Sequence, residues 1–557
     1  METNMALSGE QWNNPTWWRN AVVYQIYPRS FADSNGDGIG DLKGITSRAG
    51  YLAALGVDAV WLSPFYPSAL ADGGYDVDDY RDVDPKVGTL ADFDEMVTVL
   101  HGLGIKVFVD IVPNHSSNRH EWFQSALAAG PGSPERDRYI FRRGLGDDGS
   151  QPPSDWPAAF GGSTWEPVGD GWYYFHIFAP EQPDWNWENE DVRQDFLTTL
   201  RFWSDRGVDG FRVDVAMALV KGFGADWPEV LPSRTEVEAT PIGPDNLFYD
   251  RDGVDEIYRG WRAVFNEYDP PRVAVAELWN EPSERKARYA TPESLGQAFF
   301  FDIVQAGFSA PKVRAVVEQV LGAVAKSGSS ATWVLSNHDI VRHATRFGLP
   351  DTDDAGTRDR EWLLSGGRTP KEDVARGLRR APALTVFLMA LPGCMYLYQG
   401  EELGLREVAD IPDAARQDPI FFRSPGFNVG RDGCRVPLPW TADGPSFGFG
   451  TGPAHLPQPA WFGQYAVSAE DADPGSTLNL YRRALALRPA LQAGDEFAWV
   501  DSPDSVLHIR RGDGWNAVIN FGREALPYPG LPSQVALTTG NATDGTIPGE
   551  TTVWYQD

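Results

Sequence analysis

Eight short apolar runs, separated by helix-sized stretches, recur along this chain. Runs of this kind are typical of strands buried on both faces of a parallel sheet, with amphipathic helices wrapped around it. Helices are predicted over residues 90–100 and 477–487, where apolar residues fall on one face. Eight such strands favour a closed (β/α)8 TIM barrel over an open doubly wound sheet. The predicted strands are residues 21–27, 57–63, 106–112, 208–215, 272–278, 298–303, 332–336 and 395–398.

Two segments interrupt this alternation, and a third follows it. Residues 115–181 are rich in Gly, Pro, Ser and Trp, and they are too long for an ordinary loop, so a lid-like insertion is predicted after the third strand. Residues 409–462 are loop-like again. Short β-like pieces and turns in residues 494–557 predict a C-terminal antiparallel β domain. The barrel domain is therefore predicted over residues 1–114 and 182–493.

Bulk composition excludes several classes of function. The chain has 557 residues, of which 42% are hydrophobic and 23% charged, as in a soluble enzyme. A net charge of −30 argues against a nucleic-acid partner. No apolar stretch reaches the ~18 residues that cross a bilayer. Two cysteines without a C-x-x-C arrangement, and residues 1–18 without signal-peptide character, predict a cytoplasmic location.

Acidic and amide residues stand at the ends of four strand-like runs. The four segments are Asp110-Ile-Val-Pro-Asn-His115, Gly210-Phe-Arg-Val-Asp214, Val275-Ala-Glu277 and Leu335-Ser-Asn-His-Asp339. A (β/α)8 barrel keeps its chemistry at the carboxyl ends of its strands. Paired carboxylates are the groups that cleave glycosidic bonds. The sequence therefore predicts a glycosidase site.

With these segments in order and Gln182-Pro-Asp-Trp-Asn186 between the first two, the chain resembles the α-amylase family of glycoside hydrolases. Two further runs, 23–31 and 398–402, resemble the α-glucosidase and oligo-1,6-glucosidase branch of that family. The resemblance spans nearly the whole chain. It implies a retaining exo-α-glucosidase that acts on short α-glucosides, uses no organic cofactor, and works as a monomer or small homo-oligomer.

The resemblance also implies roles for individual residues. Asp214 would be the nucleophile, and Arg212, two residues earlier on the same strand, would hold it ionised because both side chains point the same way. Glu277 would be the general acid and base, which requires it to carry a proton before the bond breaks. In a retaining enzyme these two carboxyl groups lie roughly 5–5.5 Å apart.

Further residues would bind the sugar. The resemblance implies that Asp339 clamps sugar hydroxyls and that His115 and His338 donate hydrogen bonds to them. Asp76 and Arg342 resemble the ion pair that grips the terminal glucose, although an ordinary structural ion pair would give the same pattern.

Other positions bear on the walls of the pocket and on linkage. Tyr75 and Phe160 are candidate aromatic walls, or else core residues. Val215 resembles the valine that accompanies α-1,6 preference, but Met217 and Trp185 depart from the branch's usual residues. The sequence thus leaves the α-1,4 and α-1,6 linkages both open.

A Gly-rich loop after the first strand alternates oxygen-bearing side chains, a spacing that hard cations such as Ca²⁺ or Mg²⁺ favour. A polar turn without metal is the alternative. An EF-hand is excluded because Gly44 stands where the bidentate Glu is required. The resemblance implies a structural cation bound by Asp33, Asn35, Asp37, the Ile39 carbonyl and Asp41.

Two other functions are compatible with the same fold. A transglucosidase would use the same residues and pass the glucosyl group to a sugar or alcohol instead of water. A non-catalytic interaction protein on the same fold would have lost the catalytic acids, and this chain keeps them.

Overall fold

The computed structural model describes residues 9–222, 231–492, 494, 496–543 and 545–557. At its centre eight parallel strands form one sheet, in the order β7-β8-β1-β2-β3-β4-β5-β6. This confirms the predicted barrel. The strands are β1 Val22–Ile26, β2 Ala59–Leu62, β3 Lys106–Ile111, β4 Gly210–Val213, β5 Val273–Ala276, β6 Gly296–Ala298, β7 Thr332–Val334 and β8 Cys394–Tyr398.

The barrel closes between β6 and β7 through a side chain. In the described part of the chain no backbone ladder joins these two strands. Instead the Thr332 hydroxyl donates to the Ala298 carbonyl at 2.7 Å and accepts from the Phe300 amide at 3.3 Å.

The sixth strand lies earlier than predicted, sharing only Ala298 with the predicted run. The apolar residues that follow are aromatic packing rather than strand. Phe301 stacks on Phe299 at 5.0 Å and on Trp279 at 4.1 Å, and a helix begins at Asp302. The other seven strands overlap their predicted ranges.

Helices surround the barrel, and both predicted helices are confirmed. The first spans Leu90–Gly102, begins with a Thr89/Asp92 capping box, and buries the predicted apolar face. The second spans Thr477–Leu491. The remaining helices of six or more residues are Leu42–Ser47, Ala49–Leu55, Glu121–Ala129, Glu190–Asp205, Arg234–Ala239, Val254–Phe265, Ser283–Tyr289, Ala310–Ser327, His343–Gly348, Ala355–Leu364, Val374–Met389 and Val467–Ala472.

Three smaller sheets accompany the barrel in the described ranges, the smallest of which pairs Leu526–Pro527 with Thr546–Ile547. The insertion after β3 holds a three-stranded antiparallel sheet of Phe141–Arg143, Trp172–Phe175 and Trp165–Pro167, in that spatial order. The C-terminal sheet is antiparallel, as predicted, and it has five strands. Its strands in spatial order are Phe497–Val500, Val506–Arg511, Trp515–Asn520, Thr551–Gln556 and Leu537–Thr538.

Two predictions concern residues outside the described ranges. The amino-terminal stretch predicted to lack signal-peptide character includes residues 1–8, and the predicted boundary of the C-terminal domain includes residue 493. Across the described ranges, none of the helices combines the length and the apolar character that crossing a bilayer requires.

Candidate active site

The strand ends bring the predicted acids together around one arginine. Arg212 lies on β4, and its Nη1 contacts Oδ1 of Asp214 at 2.7 Å and Oδ1 of Asp110 at 2.9 Å. Its Nη2 contacts Oε2 of Glu277 at 2.8 Å. All four residues are buried. Three carboxyl groups from β3, β4 and β5 therefore share a single guanidinium.

This sharing changes the expected electrostatics of the nucleophile. Burial raises the pKa of Asp214 well above the usual range of an aspartate, with Arg212 acting in the opposite direction and the carboxylates of Glu277 and Asp110 adding to the rise. Burial likewise raises the pKa of Asp110 to about 7, although Arg212 opposes it. Arg212 contacts Asp214 as predicted, but it is shared with two further carboxyl groups, which weakens its hold on the charge of Asp214. One positive charge facing three buried carboxyls favours retention of a proton within the cluster.

Glu277 is held by donors on both oxygens. Oε1 accepts from the Trp279 indole at 2.9 Å, and Oε2 accepts from the Val215 amide at 2.9 Å as well as from Arg212. Val215 has a φ of 44°, in the left-handed region that β-branched residues rarely adopt. The strained backbone at this position aims an N–H group at Glu277, in keeping with the clustering of strain at functional sites.

A cavity of about 200 Å³ opens in front of these acids. Pockets for drug-sized ligands have volumes of about 300–1,000 Å³, so this one suits a smaller group such as a single sugar ring. Larger cavities lie elsewhere on the surface, away from the acids. The residues that line it are Asp72, Tyr75, His115, Phe160, Phe178, Asp214, Val215, Glu277, Trp279, Asp339 and Arg431.

The two predicted histidines occupy different places. His115 lines the cavity, and burial lowers its pKa to about 3, so its ring is neutral. His338 is fully buried behind the cavity wall, where its ring stacks on Tyr75 with centroids 5.4 Å apart. Its Nε2 lies 2.6 Å from the Tyr75 hydroxyl and its Nδ1 lies 2.6 Å from Nε2 of Gln25. The structure therefore places His338 as a support for Tyr75 and not among the lining residues.

Asp339 faces the cavity between two arginines. Its Oδ1 accepts from Arg431 at 3.0 Å and from Arg435 at 2.9 Å. Burial would raise its pKa, but the neighbouring positive charges outweigh burial and hold the pKa below the usual range. Asp339 is therefore held in its ionised form.

The predicted pair of Asp76 and Arg342 does not form. Asp76 accepts hydrogen bonds from the backbone amides of residues 71 and 72, both at 3.0 Å. Arg342 donates to the carbonyls of Gln399 and Cys434, both at 2.9 Å. Both side chains are structural, because their partners are backbone groups and, for Asp76, the side chain of Ser68.

A different pair stands at the cavity. Arg431 donates to Oδ1 of Asp72 at 2.6 Å, and both residues line the cavity. Arg431 is also bound to Oδ2 of Asp418 at 2.6 Å. The sequence offered a signal for this pair: Asp72 directly precedes the Gly-Gly-Tyr-Asp run, and Arg431 opens the Arg-Asp-Gly-Cys-Arg run at the centre of the second long loop.

Both predicted aromatic walls line the cavity. Tyr75 donates to Oδ2 of Asp110 at 3.1 Å, which ties this wall to the acid cluster. Phe160, from the insertion, lies with its ring centroid 5.3 Å from the guanidinium carbon of Arg431.

The Gly-rich loop uses its carboxylates on its own backbone. Asp33 accepts from the amides of Asn35, Gly36 and Gly38, and Asp41 accepts from those of Ser34 and Gly44. Within the described ranges no three acidic, His or Cys side chains converge as metal ligands. In this conformation the predicted donors therefore do not fit a closed cation site.

Comparisons with known proteins agree with this geometry. A family described as "Alpha amylase, catalytic domain" matches residues 25–494. A probable alpha-glucosidase of Rhizobium meliloti (strain 1021) is 37% identical over 89% of this chain and 87% of its own. An oligo-1,6-glucosidase of Parageobacillus thermoglucosidasius is 34% identical over 85% and 83%.

Solved structures are similar over nearly the full length. An alpha-glucosyl transfer enzyme has a TM-score of 0.80 and 34% identity, covering 97% of this chain and 99% of that one. A trehalulose synthase mutant has a TM-score of 0.81 and 30% identity, covering 97% and 100%.

Proposed function

Because the chain belongs to the α-amylase family of glycoside hydrolases, we propose that it is a retaining exo-α-glucosidase that releases glucose from the non-reducing end of short α-glucosides. The observation that carries the proposal is the placement of Asp214 and Glu277 on one guanidinium, facing a cavity of sugar size. The intact acid trio leaves the non-catalytic alternative without support.

The reaction would proceed by double displacement. Asp214 attacks the anomeric carbon while Glu277 gives its proton to the leaving oxygen, so a glucosyl–Asp214 ester forms and the aglycone departs. Glu277, now a carboxylate, removes a proton from water as the water attacks the ester, and Asp214 is released. For this step the proton retained in the buried cluster has to reside on Glu277, which leaves Asp214 as the carboxylate that attacks. Asp339, ionised beside two arginines, would bind sugar hydroxyls.

Exo action is supported by the Asp72–Arg431 pair. A charge pair fixed in the wall of a small cavity presents both donors and acceptors to the hydroxyls of a terminal sugar. We assign to this pair the role predicted for Asp76 and Arg342. Tyr75 and Phe160 would supply apolar walls beside the ring.

The test is Asp214→Ala with p-nitrophenyl α-glucoside and isomaltose. We expect loss of hydrolysis by several orders of magnitude, because no covalent intermediate can form. NMR of the wild-type reaction should show α-glucose as the first product. Substantial turnover by the variant, or β-glucose as the first product, would contradict the proposal.

Transfer is the second candidate, favoured by the similarity to an alpha-glucosyl transfer enzyme and a trehalulose synthase. The same acids would serve, with a sugar or alcohol replacing water in the second step. Product analysis at high sugar concentration separates the two functions, since new oligosaccharides or glucosylated alcohols appear only if transfer competes with water. A rate panel on maltose, isomaltose, sucrose and trehalose would fix the linkage.

The structural Ca²⁺ or Mg²⁺ is supported by the ligand spacing of residues 33–41 alone, and the loop's internal hydrogen bonds count against it. Elemental analysis of dialysed protein tests for this cation. Less than one Ca²⁺ or Mg²⁺ per chain would contradict the proposal.

We further propose a cytoplasmic location, no nucleic-acid partner, a monomer or small homo-oligomer, and domain limits at residues 114/115, 181/182 and 493/494. The net charge of −30 supports the proposal that there is no nucleic-acid partner, and limited proteolysis would test the domain limits.

A further inference from the structure

Two phenylalanines in the loop after β8 are strongly exposed. Phe422 and Phe427 are each 61% exposed, more than any other large hydrophobic residue in the described part of the chain. Single exposed hydrophobic residues are common, but paired exposed aromatics beside a cavity are typical of binding surfaces.

The base of this loop is fixed at the active site. Asp418 and Arg431 stand at its two ends and are joined by an ion pair of 2.6 Å. Arg431 also contacts Asp339 and Asp72, so the loop leaves directly from the cavity wall.

The side of the loop is fixed to the insertion. Ser424 donates to the carbonyl of Phe160 at 3.2 Å, and Arg423 donates to the carbonyl of Gly161 at 2.8 Å. Phe160 itself lines the cavity. Ser424 is two residues from Phe422 and three from Phe427, and each residue spans at most ~3.6 Å. The backbones of Phe422 and Phe427 therefore lie within about 7 and 11 Å of Ser424, beside the part of the cavity wall that Phe160 forms.

The two rings are also held in place. Phe422 packs edge-on against Phe421, with centroids 5.2 Å apart and an interplanar angle of 75°. The guanidinium of Arg360 covers one face of Phe427, 4.5 Å from the ring centroid. Because neighbours fix the orientation of these rings, a ligand that stacks on them loses little further side-chain freedom.

We propose that Phe422 and Phe427 form an aglycone and acceptor platform that selects apolar or aromatic groups, such as the aryl part of an aryl glucoside or a phenolic acceptor. The inference rests on the proposed function. The occupant follows from continuity with the cavity, since whatever is joined to the anomeric carbon must leave the cavity past its rim. A planar apolar group gains from stacking on an aromatic ring, whereas a small polyol does not.

In the transfer step the acceptor hydroxyl oxygen attacks the anomeric carbon of the glucosyl–Asp214 ester. The new glycosidic bond forms as the bond to Asp214 breaks, Glu277 takes the hydroxyl proton, and Asp214 departs as a carboxylate. The platform positions the acceptor and takes no part in the proton transfer.

The experiment compares hydroquinone with glycerol as acceptors, using p-nitrophenyl α-glucoside as donor. For wild type and the double variant Phe422→Ala/Phe427→Ala, we would measure the ratio of hydroquinone glucoside to glycerol glucoside in one mixture. This ratio does not depend on the folded fraction. Stacking contacts of this kind correspond to a roughly two- to tenfold fall in the ratio. Leu364→Ala, at an exposed residue outside the loop, is the matched control.

An unchanged ratio in the double variant would overturn the inference, as would an equal fall in the Leu364 control. If the wild type does not hydrolyse the donor at all, the proposed function fails. That outcome is distinct from an active enzyme whose acceptor ratio does not change when the two rings are removed.

Discussion

Replacing Asp72 with Asn tests which acid grips the terminal sugar. Asp72 accepts from Arg431 at 2.6 Å and from Gln182 at 3.1 Å. Asparagine keeps the shape but removes the charge, so Arg431 loses one of its three carboxylate partners at the cavity. A hydrogen bond to a charged group contributes about 1.5–3 kcal/mol. If that interaction acts in the transition state, kcat/KM falls roughly 10- to 150-fold.

The matched control is Asp76→Asn, four residues along. Asp76 bonds two backbone amides and the Ser68 side chain, and it is not among the residues that line the cavity, so its change should act on stability rather than on sugar binding. We expect a lower melting temperature and a kcat/KM within about threefold of wild type, since one amide acceptor survives.

The assay is initial rates on isomaltose at 25 °C, with active enzyme titrated and thermal unfolding followed in parallel. A larger loss of kcat/KM in the Asp76 variant than in the Asp72 variant would refute the reassignment of the pair.

Two further predictions concern buried acids. Trp279→Phe keeps an aromatic ring for Phe301 but removes the indole hydrogen bond that orients Glu277. One hydrogen bond contributes about 0.5–1.5 kcal/mol, so kcat/KM on isomaltose should fall roughly two- to tenfold; an unchanged kcat/KM contradicts this role for the indole. Burial raises the pKa of Glu401 to about 8, above its unfolded value, so the stability it contributes is present at low pH and is lost as pH rises through 8. Glu401→Gln should therefore flatten the fall in melting temperature between pH 6 and pH 9, and an equally steep fall would count against it.

The sequence predicted the barrel and the acid trio because both depend on local order. Asp214 and Glu277 directly follow strands, and the carboxyl ends of parallel strands meet at one edge of a barrel. The sixth strand was misplaced because the aromatic run after Ala298 has the apolar character of a strand but packs as stacked rings.

The sugar-gripping pair could not be found from spacing. Arg342 lies three residues after Asp339, which suggested that it faces the same pocket. However, the helix His343–Gly348 begins directly after Arg342, whose guanidinium turns toward Gln399 and Cys434. The arginine at the cavity is Arg431, which arrives from a distant loop, and only the three-dimensional path of that loop brings it to Asp72.

The closure of the barrel at Thr332 has a consequence for its slow motions. Elsewhere in the ring, adjacent strands are joined by continuous amide-to-carbonyl ladders, whereas this seam is bridged by the hydroxyls of Thr332 and Ser329, the latter donating to the Gly296 carbonyl at 3.1 Å. Segments with fewer backbone bonds open at lower free energy than the rest of a fold. Backbone amides of β6 and β7 that face this seam should therefore exchange with deuterium faster than those between the other strand pairs. The barrel should thus open at one place rather than evenly around its circumference.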